Sequence, residues 1–227
     1  KLEEKNTRIY ILEQDGERIG QARVDLEGQN GEISYALCLR ARGHGYSKWM
    51  LGSIEEELRE QAVCRKLIAE VKRENIASQK IFETLSYIAV PADYGYVFEK
   101  KIPLFTIIMC TYNSAQTLAT AVESVRNQEF GGWEMQILDN GSKDESVEKL
   151  QEYEKSDDRI KCIYRKDNIG WGKGISECLK TSAGGYMMFL GADDYLATEH
   201  TLTEVADEVK KNHPQIIFTA TYYAKYE

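Results

Sequence analysis

The sequence has little proline, no paired cysteines and no long apolar run. It holds 3 prolines in 227 residues, while 42% of the residues are hydrophobic and 10% are aromatic. This composition excludes a disordered chain and is typical of a globular protein with a buried core. No stretch approaches the roughly 18 apolar residues of a membrane span, so we expect no such span.

The cysteines are odd in number and form no C-x-x-C pair, which argues against a disulfide framework or a zinc site. They favour a reducing compartment, and we expect a cytoplasmic protein. The five cysteines are Cys38, Cys64, Cys110, Cys162 and Cys178.

Basic charge is also scarce, since 29 Lys and Arg residues face 37 Asp and Glu residues, for a formal net charge of -8. The chain has no Lys/Arg-rich run to neutralise a phosphate backbone, so we exclude nucleic acid as a partner. Glycine-rich turns and helix N-termini hold phosphates without net positive charge, so nucleotides and coenzymes remain possible ligands. The chain begins at Lys1 without a methionine or a leader segment, and we interpret it as a piece of a longer protein.

The first hundred residues predict a mixed, largely antiparallel sheet. Alternating apolar residues between glycine-containing turns predict strands, and apolar residues three and four apart predict helices. The predicted strands are 8–13, 18–26, 32–39, 67–71, 87–90 and 96–99, and the predicted helices are 46–58 and 77–85.

From residue 103 the pattern changes to a strict alternation of apolar strands and amphipathic helices, which predicts a parallel, doubly wound sheet. The predicted strands are 105–109, 134–138, 160–164, 186–190 and 216–220, and the predicted helices are 115–127, 145–155, 172–182 and 200–211. We therefore predict an α/β protein of two domains, residues 1–101 and 102–227.

An arginine- and glycine-rich turn, residues 40–45 (RARGHG), lies between a predicted strand and a predicted helix. Glycines let backbone N–H groups point into one concavity, and the following helix adds its positive end, so the turn suits a pyrophosphate. About thirty residues later comes the motif N-x-x-S-x-x-x-F-E-x-L, residues 75–85. Together these elements resemble the GCN5-related N-acetyltransferases, over residues 8 to about 100.

That resemblance implies acetyl-CoA as a co-substrate, with its pyrophosphate in the turn and its arm near the second motif. The residues that it assigns to acetyl-CoA are Arg40, Arg42, Gly43, His44, Gly45, Asn75 and Ser78. The family often has a tyrosine general acid where Phe82 stands, and a phenyl ring has no proton to give. The family's first elements would precede residue 8, so we expect an incomplete domain.

Glu13, Glu32 and Glu70 lie on or beside predicted strands, where a carboxylate could accept a proton from an amine. The alternative interpretation is that each is a solvated carboxylate at a strand edge. We therefore assign no catalytic base to this domain.

In the second half, polar residues follow the predicted strands, where open α/β sheets bind their ligands. The blocks TIIMCTYN, QILDNGSKD, DNIGWGKGI and GGYMMFLGADDYL occur in that order between residues 106 and 196. They resemble the nucleotide-binding half of family-2 glycosyltransferases, which have the Rossmann-like GT-A fold. The resemblance implies a nucleotide-sugar donor and a divalent metal, Mg²⁺ or Mn²⁺.

Carried over by position, the resemblance assigns the nucleotide-sugar to Thr111, Tyr112, Asn113, Asp139, Asn140, Lys173, Asp193 and Asp194. Asp193 and Asp194 would also bind the metal, although the first Asp of the common D-x-D-D form is Gly191 here. The general base of inverting members lies downstream of this motif, and only 33 residues follow Asp194. We assign no base, and we expect this piece alone to bind donor weakly and to transfer sugar poorly or not at all.

The sequence thus predicts part of a bifunctional transferase that adds a sugar from a UDP- or dTDP-sugar and N-acetylates an amino-sugar, in bacterial surface or coat glycan synthesis. Its partners would be the donor, acetyl-CoA and a glycan or amino-sugar acceptor. The alternative is a non-catalytic scaffold that binds a nucleotide or CoA. A dinucleotide-dependent dehydrogenase is disfavoured, because no G-x-G-x-x-G follows the first strand of the second domain.

Overall fold

The computed structural model describes residues 6–215 and 217, and these residues form two separate sheets. The N-terminal sheet has the strand order β1-β2-β3-β4-β6-β5. Only β3 and β4 pair in parallel, so the sheet is mixed and largely antiparallel, as predicted. Its strands are β1 (Asn6–Gln14), β2 (Glu17–Glu27), β3 (Asn30–Leu37), β4 (Lys66–Lys72), β5 (Ile88–Ala92) and β6 (Gly95–Lys101).

Two helices accompany this sheet, α1 (Tyr46–Glu60) and α2 (Ile76–Thr84). The apolar residues of α1 recur at helical spacing and are buried in the same core as the inward-facing residues of β2, β3 and β4. Predicted strand 32–39 ends earlier, at Leu37, because a short 3-10 helix, Leu39–Ala41, follows it.

The C-terminal sheet is entirely parallel, with the order β10-β7-β8-β9. This confirms the predicted parallel sheet of alternating strands and helices. The strands are β7 (Phe105–Thr111), β8 (Trp133–Asp139), β9 (Ile160–Tyr164) and β10 (Tyr186–Phe189). The helices are α3 (Leu118–Arg126), α4 (Ser146–Ser156), α5 (Trp171–Thr181) and α6 (Thr201–Asn212). The predicted strand 216–220 lies outside the described residues, apart from Ile217.

The short connection between the sheets is anchored on both sides. Ile102 is buried in the N-terminal core, whereas Leu104, two residues later, is buried in the C-terminal core. The backbone N–H of Ile102 donates to the Arg65 carbonyl at 2.9 Å, and that of Leu104 donates to the Gly132 carbonyl at 2.7 Å. The chain therefore crosses from one core to the other without a loose linker.

The loops that follow β7 and β8 are joined by hydrogen bonds. The Asn113 N–H donates to Ser142 Oγ at 2.8 Å, and the Lys143 N–H donates to Asn113 Oδ1 at 2.7 Å. The Ala115 N–H donates to Asp144 Oδ2 at 3.0 Å. Because the backbone at Ala115 is held against the second loop, α3 begins at Leu118 rather than at the predicted Ala115.

An ion pair is buried between α1 and the N-terminal sheet. Lys100 Nζ lies 2.5 Å from Glu55 Oε2, and the Glu55 side chain is only 5% exposed. Its other oxygen, Oε1, is buried with no hydrogen-bond partner, so Lys100 is its neutralising contact. Removing one member of a buried pair leaves an uncompensated charge, which is far costlier than losing an exposed pair.

We predict that Lys100→Met lowers the free energy of unfolding by about 3–5 kcal/mol, the usual cost of such an orphaned charge. Lys66→Met is the matched control, because the Lys66–Glu99 pair at 3.2 Å is about a third exposed on each side. It should cost no more than about 1 kcal/mol. Urea unfolding followed by circular dichroism measures both, and equal losses in the two variants would contradict the prediction.

A second prediction concerns Asp144. Hydrogen bonds from Ser146 and from the Ala115 N–H lower the pKa of its carboxyl. A carboxyl with a lowered pKa in the folded state stabilises the fold above its unfolded pKa, and this contribution is lost as the pH falls through the folded pKa. Asp144→Ala should therefore lower the urea midpoint at pH 7, and the gap to the parent should narrow towards pH ~3.

Asp93→Ala is the control for this measurement, since Asp93 is an exposed carboxylate in the turn between β5 and β6. It should change the urea midpoint little at either pH. A gap for Asp144→Ala that stays constant from pH 7 to pH ~3 would show that the charged carboxylate is not what joins the loops.

Candidate functional site

The polar residues after β7 and β8 start at the same level of the C-terminal sheet. The parallel register pairs Thr111 with Asp139, and the Asn140 N–H donates to the Thr111 carbonyl at 2.8 Å. Since the carboxyl ends of parallel strands share one edge, the loops that follow lie side by side.

Asp139 organises the start of its own loop. It is buried, and its Oδ2 accepts from the N–H groups of Gly141 and Ser142, each at 3.1 Å. Its Oδ1 and the Oγ1 of the neighbouring Thr111 are buried without a hydrogen-bond partner. Buried polar atoms normally have a hydrogen-bond partner. These two oxygens have none, and they lie where β7 and β8 end.

Asn140 is also buried, and it connects β8 to the segment that precedes α5. Its Nδ2 donates to Asn168 Oδ1 at 2.9 Å, and its Oδ1 accepts from the Ile169 N–H at 2.8 Å. Both ends of its amide are therefore occupied. Lys173 is exposed in the first turn of α5, just after this segment.

A cleft of about 650 Å³ opens over the ends of β7 and β10, and we call it the strand-end cleft. It is lined by Cys110, Tyr112, Asn113, Ser114, Gln116, Thr117, Asp144, Trp171, Gly191, Ala192 and Asp193. Three of the residues predicted from sequence, Tyr112, Asn113 and Asp193, thus lie together in the wall. Thr111, Asp139 and Asn140 are buried at the adjoining strand ends rather than in the wall.

Asp193 and Asp194 converge at one edge of this cleft. A Cβ added to Gly191 would lie 2.9 Å from Asp193 Oδ1 and 2.7 Å from Asp194 Oδ2. The two carboxylates therefore face the same small volume, which only a residue without a side chain leaves open. Mg²⁺ is commonly held by one or two carboxylates together with substrate phosphates, so this exposed pair fits a divalent metal.

Two glycines of the glycine-rich turn, residues 40–45, have left-handed backbone conformations. Gly43 and Gly45 have φ of +80° and +81°, and added Cβ atoms there would meet nothing within 4 Å. Helix α1 begins directly after Gly45. The turn thus presents open backbone at a helix N-terminus, an arrangement that suits an anion.

The other residues assigned to acetyl-CoA already have contacts within the chain. Arg40 forms an exposed ion pair with Glu17. Asn75 caps α2 by accepting from the Ser78 N–H at 3.2 Å, and Ser78 Oγ lies 3.1 Å from the Tyr35 hydroxyl. The Arg42 Nε–H donates weakly to the Leu37 carbonyl at 3.4 Å, and His44 is exposed beside Tyr46. Ligand binding by these residues stays a prediction.

Phe82 is a core residue. It is 2% exposed and packs against Tyr35, Tyr87 and Phe98, with ring centroids 5.0 to 6.1 Å apart. Its neighbour Tyr87 has a buried hydroxyl, and burial together with nearby Glu55 raises the pKa of that phenol. Neither ring is placed to exchange a proton with solvent.

Sequence reasoning assigned no role to three residues that shape the strand-end cleft. Ser142 and Asp144 bind the backbone of the first loop, and Trp171 forms part of the wall. The signal for the first two was present, since Ser and Asp in a turn usually bind backbone N–H groups. No sequence pattern indicated that their partners would be in the loop after β7.

None of the described helices is long and apolar enough to cross a membrane.

Curated glycosyltransferases are similar to about half of the chain. The putative teichuronic acid biosynthesis glycosyltransferase TuaG of Bacillus subtilis (strain 168) is 37% identical over 92 residues, which are 40% of this chain and 36% of TuaG. The chain spans less than half the length of the first curated relatives that it matches.

Two solved structures are each similar to a part of the chain. S. aureus TarS 1–349 in complex with UDP-GlcNAc has 27% identity and a TM-score of 0.45, over 48% of this chain and 32% of TarS. The GNAT domain of S. lividans PAT has 20% identity and a TM-score of 0.40, over 42% of this chain and 61% of that domain.

Two family models match, one on each side of the connection between the sheets. The acetyltransferase (GNAT) family model matches residues 1–87, and the glycosyl transferase family 2 model matches residues 106–227, which are more than half of the chain. The chain belongs to glycosyl transferase family 2 and carries a GNAT acetyltransferase domain ahead of that part.

Proposed function

We propose that the C-terminal part binds a nucleotide-sugar and that the full-length protein transfers its sugar to a glycan acceptor. The observation that carries this proposal is the convergence of Asp193 and Asp194 on Gly191 at the edge of the strand-end cleft. Two carboxylates beside an open polar cleft suit a diphosphate held through a metal. We propose residues 1–101 and 102–227 as the two domains, with the Ile102 side chain at the start of the second packed in the core of the first.

The donor would lie along the edge of the sheet. Tyr112 and Asn113 are available in the cleft wall for the nucleoside, with Thr111, Asp139 and Asn140 at the adjoining strand ends. Lys173 is exposed in the first turn of α5 and would contact the base or the phosphates. Bound Mg²⁺ or Mn²⁺ would neutralise the departing nucleoside diphosphate, and Asp193 and Asp194 would hold it. We assign no residue as the general base.

UDP- and dTDP-sugars are the donors that we favour. The relative named for teichuronic acid biosynthesis supports bacterial surface or coat glycan synthesis as the setting. We propose the cytoplasm as the site of action.

For the N-terminal part we propose acetyl-CoA binding at the glycine-rich turn and N-acetylation of an amino-sugar. The positive φ of Gly43 and Gly45 and the start of α1 beside them support a pyrophosphate site.

One observation favours the second candidate, a CoA-binding scaffold without catalysis. Phe82 is buried among aromatic rings and offers no proton to a departing thiolate.

We predict that Asp194→Ala weakens Mn²⁺-dependent UDP binding by about ten-fold, or 1.4 kcal/mol, because the metal loses one of its two carboxylates. Isothermal titration with UDP, with and without Mn²⁺, measures this change. Asp207→Ala in α6 removes the same charge from an exposed position and should leave binding unchanged. An equal loss with and without Mn²⁺ would contradict a metal role for Asp194, and dTDP and GDP titrations would identify another base.

We predict that Gly45→Glu weakens coenzyme A binding by about ten-fold or more, because it brings a carboxylate and backbone strain to the proposed pyrophosphate site. Gly28→Glu is a matched control, since Gly28 also has a positive φ of +57° with nothing within 4 Å of an added Cβ. Gly28 lies in the turn after the end of β2. The glycine-rich turn instead follows the end of β3, where Ala36 and Leu37 pair with the start of β2. Equal affinity for coenzyme A in the two variants would rule out the turn as the site.

A further inference from the structure

Two large aromatic side chains are exposed at the rim of the strand-end cleft. Trp171, the first residue of α5, is 64% exposed, and Phe189, the last residue of β10, is 54% exposed. Their ring centroids are 6.4 Å apart with an interplanar angle of 54°. Burying an aromatic ring of this size is strongly favourable, so two exposed rings in contact at a cleft indicate a ligand surface.

The position of Trp171 follows from the helix that carries it. Ile175 and Cys178 of α5 are buried against the sheet, and Trp171 lies on the same helical face, four and seven residues before them. The buried stripe of α5 therefore continues beyond the end of the sheet. Trp171, at the N-terminal end of this stripe, faces the cleft instead of a strand.

The surroundings of the two rings are polar. The same cleft wall contains Asp193, Asp144, Gln116 and the hydroxyls of Ser114 and Thr117. A small ligand that combines a C–H face with several hydroxyl groups matches this mixture, because the face packs on a ring while the hydroxyls reach polar partners. A sugar ring has this chemistry.

The order of groups along the sheet edge indicates which part of the donor the rings meet. Asn140 follows β8, Thr111 ends β7, and Asp193 follows β10, which lies on the other side of β7 from β8. A nucleotide-sugar has its base at one end, its diphosphate in the middle and its sugar at the other end. Phe189 ends β10, and Trp171 contacts its ring, so the two rings lie beside the strand that precedes Asp193 rather than beside β8. A donor with its base at β7 and β8 would therefore extend its sugar towards these rings.

We propose that Trp171, supported by Phe189, is a stacking platform for the sugar ring of the donor and a specificity-determining residue of this protein. The proposal rests on the nucleotide-sugar function proposed above. It assigns to the indole a contact with the transferred sugar and none with the nucleoside diphosphate, so the two parts of the donor should respond differently to its removal.

The test compares UDP with UDP-glucose and UDP-N-acetylglucosamine, each titrated calorimetrically in Mn²⁺. Packing the C–H face of a sugar on an indole buries apolar surface of both partners, which is favourable. We therefore expect Trp171→Ala to weaken the better-bound UDP-sugar about ten-fold and to change UDP binding less than about two-fold. Trp171→Phe should restore most of the lost affinity, since it keeps a ring in place.

Trp49→Ala is the matched control, because Trp49 is 63% exposed on α1 in the other part of the chain. It should leave the affinities for UDP and for both UDP-sugars unchanged. Circular dichroism should show the same thermal midpoint for Trp171→Ala and for the parent, as expected for the loss of an exposed side chain.

Three results would overturn the platform. Equal weakening of UDP and UDP-sugar by Trp171→Ala would place the indole on the nucleotide or give it a structural role. Unchanged binding of both would remove it from the donor site. A Trp171→Phe variant as weak as Trp171→Ala would exclude stacking as the interaction. If the parent binds none of UDP, dTDP and GDP, the nucleotide-sugar function itself fails, and the platform fails with it.

Discussion

The parallel register that sets Thr111 of β7 beside Asp139 of β8 is the constraint on which the candidate site depends. Because both strands end at one level, the two loops that follow can share hydrogen bonds along their length. The bonds between Asn113 and Ser142 and between Ala115 and Asp144 exist only in that alignment. A displaced β8 would leave these backbone N–H groups without partners and the cleft without one of its walls.

At the opposite end of the sheet, a buried carboxylate holds β10 in place. Glu134 Oε1 accepts from Thr106 Oγ1 at 2.8 Å and from the Ala183 N–H at 2.6 Å. The Gly184 N–H donates to Thr106 Oγ1 at 2.9 Å, and a Cβ on Gly184 would lie 2.5 Å from the Thr106 nitrogen. This close approach aligns β10 with β7, which brings Asp193 and Phe189 to the cleft.

The fold was largely predictable from sequence, because apolar periodicity reports burial directly. The strand 160–164 was predicted with the bounds that the structure gives, and the alternation after residue 103 correctly indicated a parallel sheet. The start of α3 was not predictable, since it depends on a bond between Ala115 and Asp144, which are 29 residues apart in sequence. The exposure of Trp171 was not predicted either, because the predicted helix 172–182 left this residue out, whereas α5 begins with it.

Ile102 and Leu104 give the junction of the two parts an unusual property for a domain boundary. Boundaries usually fall in exposed linkers, where proteases cut and where recombination can exchange one domain for another. Here each side of the junction places an aliphatic side chain inside a different core, at 1% and 0% exposure. A cut between Ile102 and Leu104 would create charged chain termini next to two buried side chains, which is costly. The two parts are therefore joined by a segment that belongs to both cores rather than by a linker.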